Sequence, residues 1–146
     1  MSGENTIYVD ATNQVAGRLS SKVAKLLISG KRVVVVNAEK SLISGSRTSV
    51  VRQWQERLEI ASHVNPIYGP IHPRRPDNVL KRMVRGMVPR KKMKGVLAMR
   101  RLRVHNGLPQ EVDSAKLTQF KDAAASRPTP VYVTLKELSR TLGWNE

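Results

Sequence analysis

Residues 6–36 read TIYVDATNQVAGRLSSKVAKLLISGKRVVVV, and their patterning decides the fold class. Thr6 to Val9 is a short β-prone run ending at Asp10-Ala11, and Thr12-Asn13-Gln14 is a polar turn. From Gly17 to Ser29 the pattern is helical, with Leu19, Val23, Leu26 and Leu27 recurring at i, i+4, i+7 and i+8. At about 100° per residue, Arg18, Lys22 and Lys25 share the opposite face. Gly30 supplies a helix stop. Val33 to Val36 is a continuous β-branched run, which predicts a strand covered on both faces, as in a parallel sheet. Strand, helix and strand in such close succession form a βαβ unit with a right-handed crossover. The predicted class is α/β, with one domain over residues 1–146.

Beyond this unit, Asn37 to Lys40 and Ser41 to Ile43 lead to the break Ser44-Gly45-Ser46. That break has the makings of a phosphate cradle but reads better as an ordinary turn between strand and helix. A second helix starts near Thr48, where Val50, Val51, Trp54, Leu58 and Ala61 share one arc, with Trp54 as a core anchor. Pro66, Pro70, Pro73 and Pro76 exclude a regular helix over 62–76. A third helix begins around Asp77. Its apolar arc is Val79, Leu80, Met83, Val84 and Met87, with Lys81, Arg82 and Arg85 on the far side. The row Met83/Met87 reads as core. Gly86 predicts that this helix ends there or packs closely there. Arg90 to Gly95 is a basic loop or helix entry, and Val96 to Met99 fits a short helix. Leu102 and Val104 alternate with Arg101, Arg103 and His105, a strand with one basic face. Residues 116–126 read as a weak helix, and 131–133 as a short strand. Thr134 to Glu137 has the form of a capping box, with Leu135, Leu138 and Leu142 as the inner face of a last helix stopped by Gly143.

Charge then points to the partner. Between Arg74 and Arg103 lie twelve Lys or Arg and a single acid, Asp77. The whole chain carries 26 Lys+Arg against 11 Asp+Glu, a net charge of +15. Such density repels itself unless a polyanion neutralises it, and nucleic acid is the first candidate, ahead of an anionic membrane surface. No apolar run approaches the roughly 18 residues that a membrane span needs. The opening MSGENTIYVD lacks the basic and apolar regions of a signal peptide. With no cysteine in the chain, disulfides, thiolate metal sites and thiol catalysis are excluded. Six aromatic residues are too few for base stacking to be the main mode of recognition.

Enzymatic signatures are missing. The turn from Asp10 to Gly17 holds one glycine where a dinucleotide-binding turn needs G-x-G-x-x-G, and no P-loop occurs. Asp10 and Glu39 follow strands, where α/β enzymes place acids, but strand-end acids more often cap helices or pair with Arg. His63, His72 and His105 lack metal-ligand spacing. His72 sits in a basic Pro-rich loop within reach of phosphate, and His105 ends a strand. Two further classes fit less well: a nucleotide-dependent enzyme, for which no phosphate loop is found, and a DNA-binding module, for which no helix pair reads as a helix-turn-helix.

Four stretches, GRLSSKVAKLL, VVVVNAEKSLISG, GPIHPRRPDNVLKRMVRGMVPRKKMKG and RLRVHNGLP, resemble in order and spacing the L13 family of large-subunit ribosomal proteins. The match runs over residues 7–109, and Arg85-Gly86-Met87 with Pro89 and Gly95 is its most specific part. The ending VYVTLKELSRTLGW is similar to archaeal members. The resemblance implies a three-layer α/β/α fold around a small, mostly parallel sheet. It implies a structural constituent of the large subunit in the cytoplasm, with no catalysis, cofactor or metal. The implied partners are ribosomal RNA and neighbouring ribosomal proteins, with no membrane, no small-molecule substrate and no homo-oligomer. The RNA-facing segment would be 69–109, followed by a C-terminal strand and helix over 131–144. By position, the implied RNA contacts lie in His72, Arg74 and Arg75, in Lys81, Arg82 and Arg85, and in Arg90, Lys91, Lys92 and Lys94. Arg18, Lys22, Lys25, Lys40, Arg100, Arg101 and Arg103 complete the expected basic surface. Pro73 stands where many members carry an aromatic and Arg90 where histidine is frequent, which removes stacking at 73 but not phosphate binding.

Overall fold

The structure, a computed structural model, describes residues 6–128 and 131–145. The βαβ unit is present: β1 (Thr6–Asp10), α1 (Ala16–Ile28) and β2 (Arg32–Val36), the two strands parallel and in register from Thr6↔Arg32 to Asp10↔Val36. Leu19, Val23 and Leu27 of α1 are buried, as their spacing predicts. Gly30 adopts φ +97, the left-handed backbone that ends the helix. Within β2, Val33, Val35 and Val36 are buried and Val34 is half-buried, so one face of the sheet is sealed more tightly than the other.

The remaining elements are β3 (Leu42–Ser44), α2 (Arg47–Glu59), α3 (Pro76–Met87), α4 (Met93–Arg100), β4 (Leu102–Val104), β5 (Leu117–Thr118), β6 (Tyr132–Thr134) and α5 (Leu135–Thr141). The main sheet has the order β4-β2-β1-β5, all parallel, and α1 packs against both α3 and α4. Ile7, Val33 and Leu102 are aligned across three strands, as are Val9, Val35 and Val104. These rows meet the helices' apolar faces and form the core. A separate antiparallel pair joins β3 to β6. The α/β class and the mostly parallel sheet thus stand.

Several local expectations are corrected. Residues 116–126 are not a helix. Leu117–Thr118 forms the edge strand β5 beside β1, between 3-10 turns at Ser114–Lys116 and Lys121–Ala123. Backbone bonds from Val15 N–H to the Ala123 carbonyl (2.7 Å) and from Ala125 N–H to the Asn13 carbonyl (3.1 Å) fix this segment to the β1–α1 turn. Its backbone groups pair with β1 and the β1–α1 turn or at i−3 within the 3-10 turns, not at i−4. Trp54 is half-buried rather than a core anchor, with the Arg57 guanidinium 5.0 Å from its ring centroid, and Val50 alone is fully buried on α2. Only half of the capping box forms. Thr134 Oγ1 accepts from Glu137 N–H at 3.2 Å, but the Glu137 carboxylate pairs with Arg47 at 2.7 Å. Leu135, Leu138 and Leu142 are buried as expected. At the helix end, Gly143 (φ +99) lets Trp144 N–H reach the Ser139 carbonyl, closing a Schellman turn.

Asp10 and Glu39 turn out to be joints. Asp10 Oδ1 accepts from Thr12 N–H (3.1 Å), Thr12 Oγ1 (2.7 Å) and Asn37 Nδ2 (2.9 Å), and its Oδ2 accepts from Gln119 Nε2 (2.8 Å). The carboxylate thereby ties the ends of β1, β2 and β5. Glu39 Oε2 accepts from Gly107 N–H at 2.9 Å. Burial raises the Asp10 pKa, yet the four donors together outweigh it and hold the carboxyl below its ordinary value. A lowered folded-state pKa stabilises the fold above the unfolded value, and that contribution is lost as pH falls through the folded value. Asp10→Ala is therefore expected to cost about 1–3 kcal/mol at neutral pH. Urea titrations across the acid range should show a smaller pH dependence below about pH 4 in the variant than in the wild type.

Candidate nucleic-acid interface

The α3–α4–β4 segment is built so that apolar residues point inward and cations outward. Pro76 occupies the first turn of α3, where its missing N–H costs nothing. Val79, Leu80 and Val84 are buried, while Lys81, Arg82 and Arg85 are exposed. Met83 is half-buried, but Met87 is 45% exposed, so it is not a core residue. The helix ends at Met87, one residue past Gly86, and nothing lies within 4 Å of the position a Cβ would take there, so Gly86 marks the helix end and not a close contact. Val88 is buried again, and Pro89 opens a turn in which Lys92 N–H donates to the Pro89 carbonyl at 3.0 Å. Helix α4 then starts with Gly95 pressed onto that carbonyl.

These elements enclose an open cleft of about 640 Å³. Lys81 and Arg85 reach it from α3, Arg90 from the turn, Arg100 from the end of α4 and Arg103 from β4. Val96, Met99 and Leu102 supply its apolar lining, and no acidic side chain lines it. Among the described residues, none of these five cations, nor Arg82, Lys91, Lys92 or Lys94, has a carboxylate within ion-pairing distance. The fold thus brings five cations spread across the segment to one cleft.

Other expected contacts lie elsewhere. On α1, Arg18 and Lys25 are exposed, but Lys22 is engaged with Asp122 at 2.9 Å. That hydrogen bond and the lysine's charge lower the Asp122 pKa. Lys40 is exposed on a 3-10 turn. The His72 ring lies 2.9 Å from the Ile60 carbonyl and tethers the 60–72 loop. Arg75 pairs with Asp77 at 3.1 Å, and Arg74 lies against Gly143, past the end of α5. The tightest departure is Arg101. It precedes β4 in helical backbone, so it does not share the outward face of Arg103. Its Nη2 donates to the Leu27 carbonyl at 3.0 Å, near the end of α1. Arg101→Ala is expected to cost about 2 kcal/mol, because a charged hydrogen bond to a terminal helix carbonyl is lost. Arg100→Ala, on an exposed neighbour, should melt like the wild type in calorimetry.

Sequence reasoning missed the cleft's apolar lining, whose residues read simply as parts of a short helix and a strand. Among the described residues no group of three or more His, Asp or Glu side chains is placed to hold a metal, and no helix is long and apolar enough to cross a membrane.

Comparison with known proteins gives one consistent answer. A family model described as Ribosomal protein L13 matches residues 4–111. The large ribosomal subunit protein uL13 of Sulfolobus acidocaldarius is 45% identical over 143 residues, 97% of this chain and 96% of that protein. The protein of the same name from Archaeoglobus fulgidus is 42% identical, covering 97% of this chain and 90% of its own. A third, from Sulfurisphaera tokodaii, is 44% identical over 141 residues, 96% of each chain.

Proposed function

The chain belongs to the ribosomal protein L13 family, archaeal in type, and from that premise we propose that it binds and stabilises folded ribosomal RNA in the large subunit. It is a structural protein and not an enzyme. Its place is the cytoplasmic ribosome, among neighbouring large-subunit proteins. The observation that carries the RNA reading is the convergence of Lys81, Arg85, Arg90, Arg100 and Arg103 on one acid-free cleft. Arg82, Lys91, Lys92 and Lys94 extend the same positive segment, and Arg18, Lys25 and Lys40 extend the basic surface elsewhere. The whole chain acts as one domain that presents residues 69–109 to RNA.

Such a surface recognises RNA by its phosphates and its folded shape rather than by base edges. The native protein should co-sediment with large subunits and wash off only at high salt. Free sedimentation in low salt would overturn the reading. In competition, structured rRNA should displace the protein from duplex DNA, since the cations of the cleft are spread over α3, the following turn, α4 and β4 rather than set along one recognition helix.

A further inference from the structure

The cleft between α3, α4 and β4 joins two chemistries that phosphate binding alone does not require. Its rim is cationic, but its floor is apolar: Val96 is 39% exposed, Met99 half-buried and Leu102 buried. A backbone of phosphates running past the rim would meet the cations and leave that floor in water. A volume of about 640 Å³ is that of a small-ligand site. The occupant that answers both parts has a flat apolar body and an anionic periphery, which describes a nucleotide.

Resting on the rRNA-binding reading, we infer that this cleft receives one nucleotide everted from folded rRNA, its base against Val96 and Met99 and its phosphates on the rim cations. No aromatic side chain lines the cleft, so the base is sandwiched by aliphatic groups and by the planar guanidinium of a rim arginine. Loops and bulges supply such a nucleotide at least cost, because their bases are already partly unstacked. A free nucleotide has the same chemistry and is the competing source.

The test fills the floor and spares the rim. Val96→Trp blocks the cleft from α4, and Leu97→Trp adds the same ring at a 43% exposed neighbour that does not line it. The probe is large-subunit rRNA transcribed from the Sulfolobus relative. Val96→Trp is expected to weaken binding by about tenfold, the worth of one stacked base, with a salt slope shallower by at most about 1, the share of the everted nucleotide's own phosphate. Leu97→Trp should bind as the wild type does. A second readout needs no variant: in the complex with the nuclease-protected RNA fragment, the Met99 methyl resonance should move upfield under the ring current of the base. Wild-type affinity in Val96→Trp, with an unmoved Met99 methyl, overturns the inference and leaves phosphate binding standing. Failure of the wild type to bind rRNA in low salt overturns the reading beneath it instead. If calorimetry shows AMP or ATP binding that Val96→Trp abolishes while rRNA affinity is untouched, the cleft belongs to a free nucleotide and the inference falls.

Discussion

Replacing Lys81, Arg85 and Arg103 together by alanine is expected to weaken binding to large-subunit rRNA by about 100-fold near physiological salt. The three side chains come from α3 and β4, are exposed, and face a single cleft. Each releases counterions from one phosphate on binding, so the log–log dependence of affinity on salt should become shallower by about 2–3. Filter binding of wild type and variant between low and moderate salt measures both quantities. Melting should be unchanged or slightly raised, because no packed atom is removed and mutual repulsion among the cations is relieved. A lower melting temperature with an intact salt slope would instead assign these side chains to the fold.

The βαβ unit was legible because its signals are local. Leu19, Val23 and Leu27 mark a helix by spacing alone, and four consecutive valines mark a buried strand. Helix α3 was legible for the same reason, with its cations opposite its core residues. β5 was not, because Leu117–Thr118 is a strand only through pairing with β1, more than a hundred residues earlier in the chain. Arg101 was misjudged because strict alternation was extended one residue past the start of β4. Trp54 shows a similar limit: it packs against the core as its phase predicts, but phase does not say how fully neighbouring elements cover it. As for the candidate site, its charge was plain in the sequence and its shape was not. The cleft exists because α4 folds back close to Pro89, an approach that depends on a missing side chain.

That missing side chain is at Gly95, and Gly95→Ala is expected to cause a large loss of stability. An added Cβ would overlap the Pro89 carbonyl oxygen and lie 2.5 Å from its carbon and 3.0 Å from the Arg90 nitrogen. All three are backbone atoms, so no flexible side chain can swing away. The turn is held by bonds from Lys92 N–H to the Pro89 carbonyl and from Gly95 and Val96 N–H to the Lys92 carbonyl. Buried Val88 and Ala98 anchor its two ends. Relief therefore requires opening the turn or lifting α4 from α1. The expected cost is about 2–3 kcal/mol, as for other overpacked positions, or a fall of about 6–10 °C in Tm for a chain of this size. The same shift would carry Arg90 away from Arg85 and Arg103, so rRNA affinity should drop together with stability. Gly86→Ala provides the contrast within the same segment. A Cβ there meets nothing within 4 Å, and in the last turn of α3 alanine is favoured over glycine by up to about 1 kcal/mol, so that variant should melt no lower than the wild type and bind as before. Should both alanine variants melt alike, the close approach of α4 to Pro89 is wrong, and with it the shape of the cleft.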